Sequence, residues 1–243
     1  MKLLPDRMQQ YFQRTSRPLF SYLMALPLFV LYEVLILISQ PDSEAIVRIS
    51  VDVWIKQLFS YLGTEVLSIS LLVLLIIGIV LLYREKDHLR ELKWGYFQLM
   101  FIEAIFYAVV LTVIISGLVS VIFQLNLQAS LQDLSFIQQF ALSLGAGLYE
   151  ELFFRLVLVS LFSWLFSKIF KEKWASGLVA VVLAAMLFSI AHYTGSLGDA
   201  FTFSSFSFRF LYGIALSVIY LLRGFGMAVW THAVYDVLII SFS

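Results

Sequence analysis

The stretch GLYEELFFRLVL, residues 147–158, places three charged side chains in an otherwise apolar run. They are Glu150, Glu151 and Arg155. Ionisable side chains inside a hydrophobic helix are costly, and they usually mark a functional site or pair with a charge of opposite sign. The stretch therefore predicts a helix in apolar surroundings with a polar site along it.

The composition of the whole chain identifies those surroundings. Of the 243 residues, 61% are hydrophobic and 13% are charged, and the mean hydropathy is +0.94. These values are typical of a polytopic membrane protein, so the lipid bilayer is an expected partner. The formal net charge of zero offers no basic surface and predicts no nucleic-acid partner. The absence of cysteine excludes disulfides, thiolate metal sites and thiol nucleophiles.

Seven apolar segments are long enough to cross a bilayer whose hydrocarbon core is about 30 Å thick. They cover residues 19–39, 65–83, 96–123, 136–167, 175–193, 206–222 and 225–242. The predicted fold is an all-α polytopic transmembrane helix bundle. Lys and Arg concentrate in alternate connections, which by the positive-inside rule predicts a cytoplasmic N-terminus.

The connection between the first two spans carries a polar stripe. Glu44, Arg48, Asp52 and Lys56 are each four residues apart, so on a helix they share one face. We expect an amphipathic helix over residues 44–62 that lies in the membrane interface. The alternative is that this helix inserts as an eighth span.

The spacing of the charges in residues 147–158 gives the two acids different surroundings. Glu151 and Arg155 are four residues apart with the acid first, so they can pair on one helix face. Glu150 is turned about 100° away and does not share that pairing equally. A carboxylate without a partner in a low-dielectric bundle suits a general base or a metal ligand. The alternative is a Glu–Arg pair that only fixes helix packing, with Glu150 reaching to an interface.

Two histidines extend this candidate site. His192 ends the fifth predicted span, with Phe188 one turn earlier on the same face. His232 and Asp236 are four residues apart in the last span, where the carboxylate can set the imidazole tautomer or both can bind a ligand. Together with Glu150, these groups come from three helices and can face one cavity.

Two other acids lie inside predicted spans. Glu33 and Glu103 have no visible partner nearby in the sequence. We expect each to sit protonated against a neighbouring helix, the alternative being that they line the cavity.

The ordered set EExxxR (150–155), FxxxH (188–192) and HxxxD (232–236) resembles the three motifs of the CAAX protease and bacteriocin-processing (CPBP, Abi) family of intramembrane endopeptidases, which are related to the type II CAAX prenyl endopeptidases. The resemblance covers about residues 135–240, the expected protease core. Residues 1–130 hold the N-terminal transmembrane helices and match no motif. The resemblance implies an enzyme that hydrolyses a peptide bond of a membrane-associated peptide or protein, CAAX-like or bacteriocin-like.

The resemblance also implies roles for individual residues. The catalytic set would be Glu150, His192, His232 and Asp236, supported by Glu151, Arg155 and Phe188. Glu150 and His192 would activate the water, and His232 and Asp236 would stabilise the oxyanion. The family usually has Asn where this chain has Asp236, and an ionised aspartate only accepts hydrogen bonds, which favours an orienting or metal-binding role for it.

The resemblance leaves the cofactor open. Family members have been described as metalloproteases and as glutamate-dependent enzymes. A divalent metal such as zinc, held by the same four catalytic side chains, and a metal-free mechanism are both compatible with the motifs. No HExxH motif occurs, so the zincin arrangement is absent.

A second class of function stays open at this point. A non-catalytic membrane protein, such as a transporter or an immunity or scaffold factor, would keep the polar cluster for proton or ion coupling. Broken helices and inverted repeats would favour transport, and the sequence shows neither. The short chain without an organellar targeting segment suggests a prokaryotic cytoplasmic membrane.

Overall fold

The computed structural model describes residues 6–40, 48–60, 66–123, 134–194 and 198–242. These residues are helical almost throughout and include no β-strand, which confirms the predicted all-α class. The α-helices are α1 (Asp6–Thr15), α2 (Pro18–Ser39), α3 (Ser50–Ser60), α4 (Val66–Arg84), α5 (Trp94–Phe123), α6 (Phe136–Gly145), α7 (Ser160–Phe166), α8 (Lys173–Ala191), α9 (Phe203–Arg223) and α10 (Phe225–Phe242). A 3₁₀ turn, Lys86–Glu91, precedes α5.

Each of the seven predicted spans coincides with helix. The fourth span, predicted over 136–167, consists of α6, two π-helical stretches and α7. In the described ranges, four helices are long and apolar enough to cross a membrane: α2, α5 over Trp94–Ser120, α8 and α9. Leu72–Arg84 of α4 and Phe225–Ser241 of α10 are shorter apolar helices. The protein is therefore an integral membrane protein, while the count of seven spans and the position of the N-terminus stay predictions.

Helix α10 lies at the centre of the bundle. It packs against α2, α5, α6, α9 and the π-helical stretches. Residues Met227 to Val229 and Ala233 of this helix are fully buried. A helix packed on several sides is mostly apolar, and its small residues let neighbouring backbones approach closely. This central position brings α10 against the helix that carries the acidic pair.

The polar stripe predicted for residues 44–62 lies partly on α3. Residues 41–47, including Glu44, lie outside the described residues. In the part described, Asp52 is fully buried and accepts a hydrogen bond from Tyr32, whereas Trp54 and Leu58 are 42% and 66% exposed. The charged face thus packs inward against α2, and an interfacial helix would present that face to water. Whether α3 lies in the interface or inserts stays a prediction.

Glu33 and Glu103 are not the solitary acids that the sequence indicated, because each of them pairs with a cation. Oxygens of Glu33 lie 3.1 Å from Nη1 of Arg48 and 3.1 Å from Nζ of Lys56. Oε1 of Glu103 lies 2.6 Å from Nε of Arg223. Arg48 and Lys56 follow Glu33 by 15 and 23 residues, and Arg223 follows Glu103 by 120 residues. Spacing along one helix therefore does not reveal these cations.

Candidate active site

The acidic pair lies in a widened part of its helix. Residues Ala146–Glu150 and Leu152–Val159 are π-helical, and we call residues 146–159 the π region. π-helical turns are rare and occur frequently at functional sites. The region packs closely on α10 at Gly147, where a Cβ atom would lie 2.7 Å from the nitrogen of Ala233 and 2.8 Å from the carbonyl oxygen of Val229. The lack of a side chain at Gly147 therefore lets the acidic pair approach α10.

Glu151 contacts two other side chains in the interior. Its Oε1 atom lies 2.9 Å from Nη1 of Arg155 and 2.7 Å from Nδ1 of His232, and all three side chains are buried. The contact with Arg155 is the one that the spacing predicts. Because an ionised carboxylate only accepts hydrogen bonds, Nδ1 of His232 carries a proton and the tautomer is set by Glu151. The four-residue spacing of His232 and Asp236 had indicated Asp236 as the group that sets this tautomer.

His192 is oriented by its own helix. Its Nδ1 atom lies 2.8 Å from the carbonyl oxygen of Phe188, one turn earlier. A carbonyl oxygen only accepts, so Nδ1 donates, and in the neutral ring Nε2 is left with a lone pair. Nε2 faces Glu150, at 3.9 Å from Oε2.

Glu150 lies close to both imidazole rings of the site. Its Oε2 atom lies 3.9 Å from Nε2 of His192 and 3.9 Å from Nε2 of His232. Within the described residues this buried oxygen has no hydrogen-bond partner. Oδ2 of Asp236 lies 3.6 Å from Nε2 of His232. The structure thus brings together the four side chains predicted as catalytic.

Phe188 is the packing centre of the site. Its ring is buried and lies 4.8 Å from the ring of His192 and 6.0 Å from that of His232, measured between centroids. The guanidinium carbon of Arg155 lies 4.3 Å from the same ring centroid. Cations are attracted to an aromatic face, so Phe188 contributes to holding Arg155 as well as both imidazoles.

The four side chains line a cavity of about 410 Å³. Residues of α3, α6, the π region, α8, α9 and α10 form its wall. Arg209 of α9 also lines the cavity and was not among the predicted site residues. Arg209 forms an ion pair with Asp199 and donates to the hydroxyl of Tyr193, at 2.9 Å, beside His192. Arg209 is a charged residue inside a predicted span, and the same feature identified Arg155 as a candidate.

Imidazole and carboxylate groups are suitable ligands for a divalent metal, and around Glu150 they lie slightly wider apart than a bound zinc ion requires. In a tetrahedral zinc site, bonds of about 2.0–2.2 Å place neighbouring ligand atoms about 3.3–3.6 Å apart. Oε2 of Glu150 lies 3.9 Å from each Nε2 atom. Across the part of the chain that the structure describes, no three such side chains are arranged to hold an ion.

The comparison with known families agrees with this geometry. Residues 132–238 match the family model of the type II CAAX prenyl endopeptidase Rce1-like proteins. All three motifs lie within this range, so the predicted resemblance is confirmed there. No curated protein and no solved structure matches the chain.

The family match supports a membrane-embedded protease with a membrane-associated substrate. The match by itself names neither the substrate nor the class of protease. Bacteriocin-like substrates and the wider CPBP (Abi) name rest on the motifs alone.

Proposed function

We propose that the protein is an intramembrane endopeptidase in which Glu150 and His192 activate the water that attacks a peptide bond. The observation that carries this proposal is Oε2 of Glu150, a buried oxygen that has no hydrogen-bond partner in the described chain and lies 3.9 Å from two imidazole nitrogens. A distance of 3.9 Å is too long for a direct hydrogen bond and short enough for one water to bridge the pair. A water held there can hydrogen-bond both to the carboxylate of Glu150 and to the lone pair on Nε2 of His192.

The carboxylate of Glu150 is the general base. It takes a proton from the water while Nε2 of His192 accepts the second water proton as a hydrogen bond. The oxygen then attacks the carbonyl carbon of the scissile bond. Glu150 afterwards gives its proton to the leaving amine, so the carboxylate is restored and no proton is gained or lost.

His232 stabilises the oxyanion formed in the attack. For Nε2 to donate, the ring must be protonated on both nitrogens, because Nδ1 already donates to Glu151. Carboxyl oxygens of Glu151, Asp236 and Glu150 lie 2.7, 3.6 and 3.9 Å from the ring nitrogens and supply the counter-charge for an imidazolium. A donor fixed beforehand in a water-poor site is a large contribution to catalysis.

The substrate class follows from the location of the site. The cavity opens among helices of a membrane bundle, so the scissile bond belongs to a peptide or protein held at the membrane. The family match supports a CAAX-type substrate. No step of this mechanism passes through a metal ion.

The test compares Glu150→Gln with Glu103→Gln. The first change keeps size and removes the base, and we expect a loss of about 10²–10⁴-fold in cleavage of a fluorogenic peptide library, measured in detergent and in lipid vesicles. The second removes another acidic side chain that lies away from the cavity, and activity should persist. Full activity of a folded Glu150→Gln variant would refute the mechanism. Absence of cleavage by the wild type would favour the non-catalytic alternative.

A further inference from the structure

A cluster of four charges lies beside the catalytic cavity. Glu33 of α2 contacts Arg48 and Lys56, each at 3.1 Å, and Asp52 of α3 contacts the same two cations, each at 3.0 Å. Two acids and two bases make the cluster electrically neutral. Asp52 is fully buried and Glu33 nearly so. We call these four residues the α2–α3 charge cluster.

Two tyrosines connect the cluster to the π region. The hydroxyl of Tyr149, the residue before Glu150, donates to Oε1 of Glu33 at 3.3 Å. The hydroxyl of Tyr32 donates to Asp52 at 2.8 Å, and its ring lies 5.4 Å from that of Tyr149. A Cβ atom at Gly145 would lie 2.3 Å from the ring of Tyr32. The cluster is thus in direct contact with the helix just before the proposed base.

Helix α3 is also a wall of the catalytic cavity. Val51 and Trp54 of α3, and Ile49 just before it, line the same cavity as Glu150. The ring of Trp54 packs edge-on against Phe153 of the π region, with centroids 6.3 Å apart. Asp52 and Lys56 of the cluster and the cavity-lining Val51 and Trp54 thus belong to the same short helix.

We propose that the α2–α3 charge cluster positions Glu150 and holds α3 against the cavity, with Tyr149 and Glu33 as positioning residues. This inference rests on the proposed function. Removing one member of a buried, paired set leaves an uncompensated charge, which is far more costly than removing a balanced pair. The side chain of Glu33 therefore acts through the geometry of its neighbours and does not touch the substrate.

The chain contains a matched control for this cluster. Glu103 is likewise bound by a cation and a tyrosine, with Arg223 at 2.6 Å and the hydroxyl of Tyr107 at 2.8 Å. None of these residues lines the catalytic cavity. Equivalent changes at the two clusters separate a general loss of stability from a specific effect on the site.

The first experiment measures cleavage. Tyr149→Phe removes one hydrogen bond and should lower kcat about two- to tenfold with little change in KM, whereas Tyr107→Phe should leave kcat unchanged. Glu33→Gln should lower kcat by about 10- to 100-fold through misplacement of Glu150, and Glu103→Gln should not. Glu33→Gln combined with Lys56→Gln restores neutrality and should recover part of the lost activity.

The second experiment measures the position of α3 without any substrate. The chain contains no cysteine, and Val51 is only 3% exposed, so Val51→Cys places one protected thiol in the wall. Adding Glu33→Gln should raise the rate of its reaction with a maleimide by roughly tenfold, since local opening exposes the thiol. Adding Glu103→Gln should leave the rate unchanged.

The two experiments distinguish failure of the inference from failure of the proposed function. If the wild type cleaves and Tyr149→Phe and Glu33→Gln match their controls, the inference is wrong and the proposed function stands. An unchanged thiol rate in the Glu33→Gln background overturns the role of the cluster in holding α3. If the wild type cleaves no substrate, the proposed function fails, and the positioning of a catalytic Glu150 fails with it.

Discussion

His232 and Glu151 are 81 residues apart in the chain, yet Nδ1 of the histidine lies 2.7 Å from Oε1 of the acid. The same oxygen lies 2.9 Å from Arg155. Glu151 therefore links the π region to α10 and sets the tautomer of His232. This contact gives the second acid of the pair a definite role while the first is directed into the cavity.

Glu151→Gln tests that link. The amide oxygen can still accept from His232, but the ion pair with Arg155 is lost and a buried cation remains without its counter-charge. We expect the free energy of unfolding to fall by about 3–5 kcal/mol. Denaturant unfolding in micelles measures it.

The matched variant combines Glu151→Gln with Arg155→Met. It removes both charges, so it should recover a large part of the lost stability while cleavage remains impaired, because His232 lacks its ionised partner. A single Glu151→Gln variant as stable as the wild type would show that the buried pair is not held as the structure indicates.

Asp236→Asn tests the role of the aspartate at a position where the resembling family usually has asparagine. Nδ1 of His232 is already bound by Glu151, and Asp236 lies 3.6 Å from Nε2, so the carboxylate is not needed to set the tautomer. An amide can donate to an oxyanion, whereas an ionised carboxylate cannot. Glu151 and Glu150 still supply counter-charge to the His232 ring in this variant, so we expect kcat of Asp236→Asn to equal or exceed that of the wild type, measured on the best library peptide.

The control for this change is Asp236→Leu, which has neither donor nor acceptor and should be slower than both. A loss of activity in Asp236→Asn as large as that in Asp236→Leu would assign an essential negative charge to position 236.

The parts of the site that were predictable from sequence are those set within one helix. Glu151 with Arg155 and His232 with Asp236 are pairs four residues apart, and helix geometry alone brings such pairs together. The apolar runs likewise predict the helices, because each span must be long enough to cross the bilayer.

Contacts between helices were not predictable in this way. The contact of Glu151 with His232 depends on how closely the π region approaches α10. The partners of Glu103 illustrate the same limit, because Arg223 follows it by 120 residues. The π region itself was missed, since neither the apolar pattern nor the spacing of the charges distinguishes i+5 from i+4 hydrogen bonds.

Removal of metal tests the spacing argument. No three His, Asp or Glu side chains in the described ranges are arranged to share an ion. We expect cleavage to persist after prolonged dialysis against a strong chelator, and elemental analysis to find no stoichiometric metal. Loss of activity that zinc restores would show that the four side chains close around an ion, and the proposal of a water activated only by Glu150 and His192 would then be abandoned.

Gly147→Ala tests whether close packing of the π region against α10 builds the site. The added Cβ would lie 2.7 Å from the backbone nitrogen of Ala233 and 2.8 Å from the carbonyl oxygen of Val229. Backbone atoms cannot turn aside as a flexible side chain can, so the two helices must separate. Overpacking of this kind costs about 1–3 kcal/mol, and it also moves Glu151 away from His232.

The control is Gly177→Ala in α8, where an added Cβ meets nothing within 4 Å. Alanine is favoured over glycine within a helix by roughly 0.5–1 kcal/mol, so this variant should be as stable as the wild type or slightly more so. Thermal unfolding in detergent compares the two, and cleavage rates show whether the displaced carboxylate matters. If Gly147→Ala behaves like Gly177→Ala in both measurements, the approach of the two helices does not determine the geometry of Glu151 and His232.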